Sequence, residues 1–272
     1  MIEIGANPNL VGALTWHGFF TFVAAAIAIG VAVRLAKEVG LKDEIVYSML
    51  MWAVPGGIIG SRLLHVIDSW SLFSGNVEEI FFVWQGGVTI YGAIIGGTIS
   101  GAIYAWIKGY PVLKLMDVAA PALLIAQAIG RIGDVILGEH FSKPTDLPWG
   151  WVYTNPDSPS FGLPPSHPAI AYEMLMDISI LALIWAFRKR LKPEGMTFLA
   201  YAAVYSFGRF FLQTFFRADP KWVFDLQPAA FISLVVLGIT IPIIVWRAYS
   251  QITPKKGLPV EAMEDSGPGG IP

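Results

Sequence analysis

The chain has 272 residues, of which 55% are hydrophobic and 14% are charged, and its formal net charge is −2. Soluble domains contain about 25% charged residues, so this composition excludes an ordinary soluble domain and indicates a polytopic membrane protein. The small negative charge argues against nucleic acid as a partner. Cysteine is absent, which excludes disulfides, thiolate metal sites and a cysteine nucleophile in this chain.

Seven apolar segments are long enough to cross a bilayer as helices of about 20 residues. They cover residues 13–33, 47–67, 88–107, 112–137, 169–187, 196–216 and 226–246. The first is kept as a span because no basic flank of the kind found in signal peptides precedes it. We predict an all-α integral membrane protein with one polytopic domain over residues 1–253 and a disordered Pro/Gly-rich tail over residues 254–272.

Basic residues are distributed unequally between the two sides of the predicted spans. Twelve lysines and arginines fall in one set of loops, and the other set holds only Lys143, Arg217 and Lys221. Cytoplasmic loops retain Lys and Arg, so this asymmetry predicts an external N-terminus and a cytoplasmic C-terminus.

The loop over residues 138–167 is the one sizeable polar element between the predicted spans, and this orientation places it outside. It is rich in Pro, Asp and Ser and contains Trp149, Trp151 and Tyr153. Two interpretations stay open: the aromatic residues anchor the loop in the headgroup layer, or the loop forms a small cap over a lateral opening.

Glycines recur at four-residue spacing in the second and third predicted spans. Gly56 and Gly60 lie in the second span, and Gly92 and Gly96 lie in the third. This spacing places small residues on one face of a helix, so it predicts close helix packing rather than a particular function.

Residues 130–140 place an arginine, two carboxylates and a histidine at the end of a long apolar run. Ionisable groups at membrane depth are costly, so they tend to pair with one another or to mark function. Arg131 lies one turn from Asp134 and two turns from Glu139, and a structural ion-pair network competes evenly with a functional role. We interpret the segment as the wall of an active site.

Two further arginines lie within predicted spans. Arg62 in the second span either pairs with a carboxylate or extends its charged end toward the membrane surface. Arg209 in the sixth span has no acid within a helical turn, which favours binding of an anionic ligand by its guanidinium group.

The four histidines suggest one unusual position and no metal site. His17 lies inside the first span, where an imidazole is tolerated but rarely without a role. His167 precedes the fifth span, and a capping role is as plausible there as a chemical one. His65 and His140 are interpreted as structural or surface residues. No set of His, Asp and Glu has the usual ligand spacing, so we expect no metal.

Several short motifs occur in one order along the chain. They are Gly60-Ser61-Arg62-Leu63, Gly86-Gly87-Val88-Thr89-Ile90-Tyr91-Gly92, Asp117 with Ala120-Pro121, Gly130-Arg131-Ile132-Gly133-Asp134, Gly138-Glu139, Lys143-Pro144-Thr145, His167-Pro168, Tyr172-Glu173 and Arg209-Phe210-Phe211. This series resembles the bacterial prolipoprotein diacylglyceryl transferases over about residues 16–217. The segment that begins at Gly130 is specific, whereas each other motif alone is weak.

The resemblance implies transfer of the diacylglyceryl group of phosphatidylglycerol to the lipobox cysteine of a prolipoprotein. A thioether forms and glycerol phosphate leaves, in the first step of bacterial lipoprotein maturation. The implied location is the bacterial plasma membrane, with the active site toward the outer face. The implied partners are phosphatidylglycerol, prolipoprotein signal peptides and membrane lipids, and no cofactor is implied.

The resemblance also assigns roles to residues of this chain. Arg131 and Arg209 match the essential arginines of the family, and Glu139 matches the glutamate of its motif. Asp134 lies where many members have Asn, and Gln213 replaces a glutamate, so any ion pair there is lost. The predicted catalytic residues are His17, Tyr91, Arg131 and Arg209, and the predicted substrate-binding residues are Arg62, Arg131, Asp134, Glu139, His167 and Arg209.

His17 and Tyr91 depart most from the family pattern. Many members have a tyrosine in the first span and a histidine in the third, so the two residue types have changed places here. A cysteine thiol has a pKa of about 8.5, so an imidazole base helps to form the thiolate.

Two other classes of function stay open. A non-catalytic lipid-binding or scaffold paralogue is compatible with Tyr91 and Gln213, because both replace residues that the family often uses. A small transporter is a weaker alternative, since the chain lacks the internal repeat that such proteins usually show.

Overall fold

The computed structural model describes residues 1–12, 14–82, 86–87, 89–221 and 224–252, and most of these are helical. The helices are α1 (Trp16–Glu38), α2 (Asp43–Asp68), α3 (Trp70–Phe73), a 3-10 helix (Val77–Phe81), α4 (Ile90–Ile107), α5 (Val112–Leu137), α6 (Ala169–Phe187), α7 (Met196–Phe216) and α8 (Pro228–Ile252). The predicted tail, residues 254–272, lies outside the described residues.

Six helices are long and apolar enough to cross a membrane: α1, α2, α4, α5, α6 and α8. The chain is therefore a multi-pass membrane protein. The remaining long helix, α7, has the bounds predicted for the sixth span, but Arg209 and Gln213 are among the residues that make it less apolar. Large apolar side chains such as Phe22 and Trp106 are exposed on the helices, as expected for surfaces that face lipid.

The helices begin and end at residues with recognisable local roles. Thr15 and Thr89 accept hydrogen bonds from Gly18 and Gly92, which cap α1 and α4. Gly138 ends α5 in the left-handed conformation, with φ of 73°. Asp117 of α5 accepts the backbone N–H groups of Gly195 and Phe198 at 2.7 and 2.9 Å, which fixes the start of α7.

Close packing of the glycine-rich helices is confirmed between α2 and α4. A Cβ atom added to Gly60 would lie 2.8 Å from the Cα atom of Gly96, and the reverse distance is also 2.8 Å. Real Cβ atoms do not approach so closely, so these two positions require glycine. Gly56 and Gly92 lie in the same contact.

Buried apolar side chains connect α5 to the helices on both sides of it. One cluster joins α5, α6 and α7 and consists of Ala120, Leu124, Ile180, Ile184 and Tyr201. A second joins α1, α2 and α5 and consists of Leu35, Ala36, Val46 and Val118. Because α5 belongs to both clusters, the residues near its end are held in a fixed frame.

Four short strands qualify the all-α prediction. Strand β1 (Ile2–Ile4) pairs in parallel with β4 (Trp151–Tyr153), and β2 (Asn9–Val11) pairs antiparallel with β3 (Leu14–Thr15). Strands of two or three residues are too short to produce an alternating pattern, so the sequence did not indicate them. The pairing of β1 with β4 joins the N-terminal segment to the loop over residues 138–167.

This loop is fastened to the end of α5 by hydrogen bonds to backbone carbonyls that a helix cannot satisfy internally. Tyr153 donates its hydroxyl to Val135 O at 2.9 Å, and Ser158 and Ser160 donate to the carbonyls of Leu137 and Gly138. Burial raises the pKa of the Tyr153 hydroxyl, which therefore remains a donor. The loop is an ordered element packed on the bundle.

Candidate active site

Three arginine side chains converge on the carboxylate of Glu173, which lies near the start of α6 and is 1% exposed. Arg131 Nη2 of α5 lies 2.7 Å from Glu173 Oε2, and Arg209 Nη1 of α7 is in direct contact with Oε1. Arg217, immediately after α7, places its Nε 4.0 Å from the same Oε1. The carboxylate is thus the centre of a largely buried cationic cluster.

Two expectations for arginines are corrected by this cluster. Arg209 is paired, because its acid comes from the adjacent helix α6 rather than from its own helix. Arg217 was expected in a polar external loop, but it is 2% exposed and lies 3.5 Å from Asp219. Glu173 was detectable as an acid within a span, whereas the role of Arg217 depends on the packing of α6 against α7.

Gln213 is fully buried and does not leave this region without a carboxylate. Its Nε2 donates to Asp219 at 2.5 Å and to Gln227 Oε1 at 2.7 Å. Asp219 therefore supplies the negative charge beside Arg217, while Glu173 supplies the partner of Arg209. The amide of Gln213 links the two segments that follow the site-bearing part of α7.

His17 and Asp134 form a direct contact between α1 and α5. His17 Nδ1 lies 2.7 Å from Asp134 Oδ1. The other oxygen, Oδ2, accepts from Arg131 Nη1 at 3.0 Å and lies 3.4 Å from His140 Nε2. Asp134 therefore connects the imidazole to the arginine cluster, so both competing interpretations of residues 130–140 apply to one network.

The approach of α1 to α5 depends on Gly133. A Cβ atom added there would lie 2.6 Å from His17 Cα and 3.1 Å from Trp16 O. The N-terminal end of α1 consequently lies against Asp134, where the partial positive charge of a helix N-terminus favours a carboxylate.

His17, Asp134 and Glu139 place potential metal ligands within 4.8 Å of one another, a set that the sequence did not reveal. His17 and Asp134 are 117 residues apart, so ligand spacing carries no signal for them. Arg131 already occupies one oxygen of Asp134 and opposes a second cation there. We therefore interpret the three residues as part of a hydrogen-bonding network.

Tyr91 approaches the cluster from a different helix. It is the second residue of α4, and its phenol lies within electrostatic range of Arg209 and Arg217. His17, the second residue of α1, lies on the side of Arg131. The two residues that have changed places thus approach one cationic cluster from separate helices.

Arg62 is engaged elsewhere, so neither expectation for it was correct. It is 7% exposed and donates to four backbone carbonyls: Glu79, Ile80, Gly86 and Gly87, at 2.5 to 3.0 Å. Its guanidinium also lies 5.1 Å from the centre of the Phe73 ring. Arg62 orders the segment that precedes α4.

His167 and Glu139 lie at the edge of the cluster. The His167 ring packs against Phe216 and Tyr172, with centroid distances of 5.0 and 6.3 Å, and its backbone N–H donates to Lys143 O. Trp149 of the loop donates to the Tyr172 hydroxyl at 2.9 Å. The Glu139 side chain is 45% exposed and is therefore open to an incoming molecule.

Comparison with known proteins agrees with this arrangement. Residues 9–246 match the family model described as prolipoprotein diacylglyceryl transferase. Similar relatives named phosphatidylglycerol--prolipoprotein diacylglyceryl transferase include those of Thermosynechococcus vestitus (33% identity, covering 83% of this chain and 85% of the relative), Clostridioides difficile (34%, 83% and 88%) and Nostoc sp. (33%, 90% and 88%). The chain therefore belongs to the prolipoprotein diacylglyceryl transferase family.

Proposed function

We propose that this chain transfers the diacylglyceryl group of phosphatidylglycerol to the lipobox cysteine thiol of a prolipoprotein, with release of glycerol phosphate. The observation that carries the proposal is the convergence of Arg131 and Arg209 on one buried carboxylate beside His17. Cationic forks suit the phosphate of the lipid, and an imidazole suits activation of a thiol. The names of the relatives specify the same two substrates.

The arginines act on the leaving group. The thiolate attacks the glyceryl carbon, so a C–S bond forms, the C–O bond breaks and its electron pair remains on the phosphate oxygen. Arg131 and Arg209 bind this oxygen more tightly as its charge develops. Glu173 holds both side chains in place before the lipid arrives.

His17 takes the thiol proton, and Tyr91 donates a hydrogen bond to the lipid from the side of Arg209. Glu139 is exposed and binds polar groups of the incoming substrate, and His167 lies beside the loop where the peptide enters. Arg62 is not retained as a substrate-binding residue, because its donors are occupied by backbone carbonyls.

The site lies toward the outer face of the bacterial plasma membrane, with α7 as a seventh span and an external N-terminus. The starts of α1 and α6 and the end of α5 meet at the site, which supports an alternating path of the chain. The excess of basic residues in the opposite loops supports the orientation. Secreted prolipoproteins would meet the site from the external side.

A transfer assay tests this function. The purified chain in liposomes that contain labelled phosphatidylglycerol should attach the label to a lipobox peptide through a thioether. A peptide with serine in place of the cysteine, and liposomes of phosphatidylethanolamine alone, should give no product. Absence of transfer by this chain, alongside an active family member, would contradict the proposal. Saturable binding of phosphatidylglycerol without transfer would favour the non-catalytic alternative.

A further inference from the structure

The contact between His17 and Asp134 fixes which nitrogen of the imidazole carries hydrogen. The two atoms that meet are His17 Nδ1 and Asp134 Oδ1, 2.7 Å apart. An ionised carboxylate only accepts hydrogen bonds, so Nδ1 must be the protonated nitrogen. In the neutral imidazole, Nε2 then keeps its lone pair and is the nitrogen able to accept a proton.

Asp134 is itself held in place. Its Oδ2 accepts from Arg131 Nη1 at 3.0 Å, and its side chain is 7% exposed. His17, by contrast, has a side chain that is 41% exposed. The carboxylate is therefore a buried, fixed acceptor, while the imidazole that it orients remains open to an incoming group.

We infer that Asp134 is a positioning residue for the proposed transfer reaction, holding His17 with Nε2 directed toward the lipobox thiol. The thiol proton moves to Nε2 as sulfur attacks the glyceryl carbon, and the leaving phosphate oxygen takes the C–O electron pair. The carboxylate of Asp134 stabilises the imidazolium that forms, and the imidazolium later returns its proton to water. This inference rests on the proposed function.

Two neighbours of Asp134 provide alternative routes for its effect. Arg131 shares Oδ2, so a change at Asp134 could act through phosphate binding instead. His140 Nε2 lies 3.4 Å from the same oxygen and is a second candidate base. A decisive experiment must separate the imidazole of His17 from both.

Steady-state kinetics of Asp134→Asn separate these routes. Asparagine keeps the size of the side chain and removes its charge, so we expect kcat to fall by about 10²-fold or more with KM for phosphatidylglycerol little changed. In a His17→Phe background, Asp134→Asn should cause no further loss, because the residue acts through the imidazole. The exposed control Asp146→Asn should retain the wild-type rate.

Other kinetic outcomes would overturn the inference. A raised KM with retained kcat would assign the effect of Asp134 to Arg131. An equal loss in the His17→Phe background would show that Asp134 does not act through His17. If the effect disappears only in a His140→Phe background, His140 is the base. Loss of activity with EDTA and recovery with a divalent metal would assign the three-residue set to a cation.

A spectroscopic test does not depend on activity and so distinguishes failure of this inference from failure of the proposed function. In protein labelled with [¹⁵N]histidine, the His17 signal is assigned by its loss in His17→Phe. The neutral ring should show hydrogen on Nδ1 and a bare Nε2, and Asp134→Leu should abolish this preference. A wild-type ring with hydrogen on Nε2 would refute the positioning role even in an active enzyme.

Discussion

Arg131 and Arg209 bind different oxygens of the same Glu173 carboxylate, although they come from α5 and α7. Glu173 thereby sets the separation of two guanidinium groups before any substrate arrives. Carboxylates and phosphates both accept hydrogen bonds from guanidinium forks, so this carboxylate prepares the two arginines for a phosphate. Burial of the carboxylate makes the arrangement rigid and sensitive to substitution.

Glu173→Gln should strongly destabilise the protein and abolish transfer. The change removes the charge that Arg131 and Arg209 share, and breaking a buried ion pair from one side costs about 3 kcal/mol or more. Thermal unfolding in detergent should show a clear fall in the midpoint. The control Glu194→Gln removes a partly exposed partner of Lys114 and should leave the midpoint nearly unchanged. Equal midpoints for the two variants would contradict the central role of Glu173.

Gly133→Ala should lower the transfer rate by about 10²-fold, because the new methyl group displaces His17 from the site. The added Cβ atom would lie 2.6 Å from His17 Cα. Gly130→Ala is the matched control on the same helix, since a Cβ atom there meets nothing within 4 Å. Similar rates for both variants would show that the approach of α1 to α5 does not limit activity.

The long helices could be predicted closely, because bilayer thickness imposes a length that a window of apolar residues reveals. The predicted bounds agree with the structure for α5, α6 and α7. Others run further than predicted, as in α1, which continues through Arg34 and Lys37. Charged residues can extend a helix beyond the apolar core, so hydropathy alone does not locate such ends.

The site could be predicted only in part. Arg131 and Asp134 were recognisable as neighbours, because residues three apart share a face of a helix. The acid that pairs with Arg209 and the burial of Arg217 depend on contacts between helices, for which a single sequence carries no local signal. Arg62 was misassigned for the same reason, since its acceptors are backbone carbonyls without side-chain identity.

A reporter fused after Lys192 should read as cytoplasmic, and one inserted between Pro144 and Gly162 should read as external. The basis is the unequal distribution of basic residues between the two sets of loops. Alkaline phosphatase and green fluorescent protein fusions measure the two locations independently. The reverse result at either position would require a different number or orientation of spans.

Tyr91→Phe and His17→Phe should lower the rate for different reasons. Phenylalanine at position 91 keeps the ring and removes only the hydroxyl, so a large loss shows that the phenol donates a needed hydrogen bond. His17→Phe removes the base, and phosphatidylglycerol binding should change little. The double exchange His17→Tyr with Tyr91→His should recover activity that each single exchange lacks. A double exchange no better than either single one would show that the positions are not equivalent.

The most direct test of the account is phosphatidylglycerol transfer by Arg131→Ala and Arg209→Ala enzymes that remain folded in the membrane. Both should lose transfer to a lipobox peptide, and lysine at either position should restore little, because it lacks the planar fork. Arg34→Ala, at an exposed position on α1, should retain the wild-type rate. Full activity in either site variant would contradict the claim that these two arginines bind the departing phosphate.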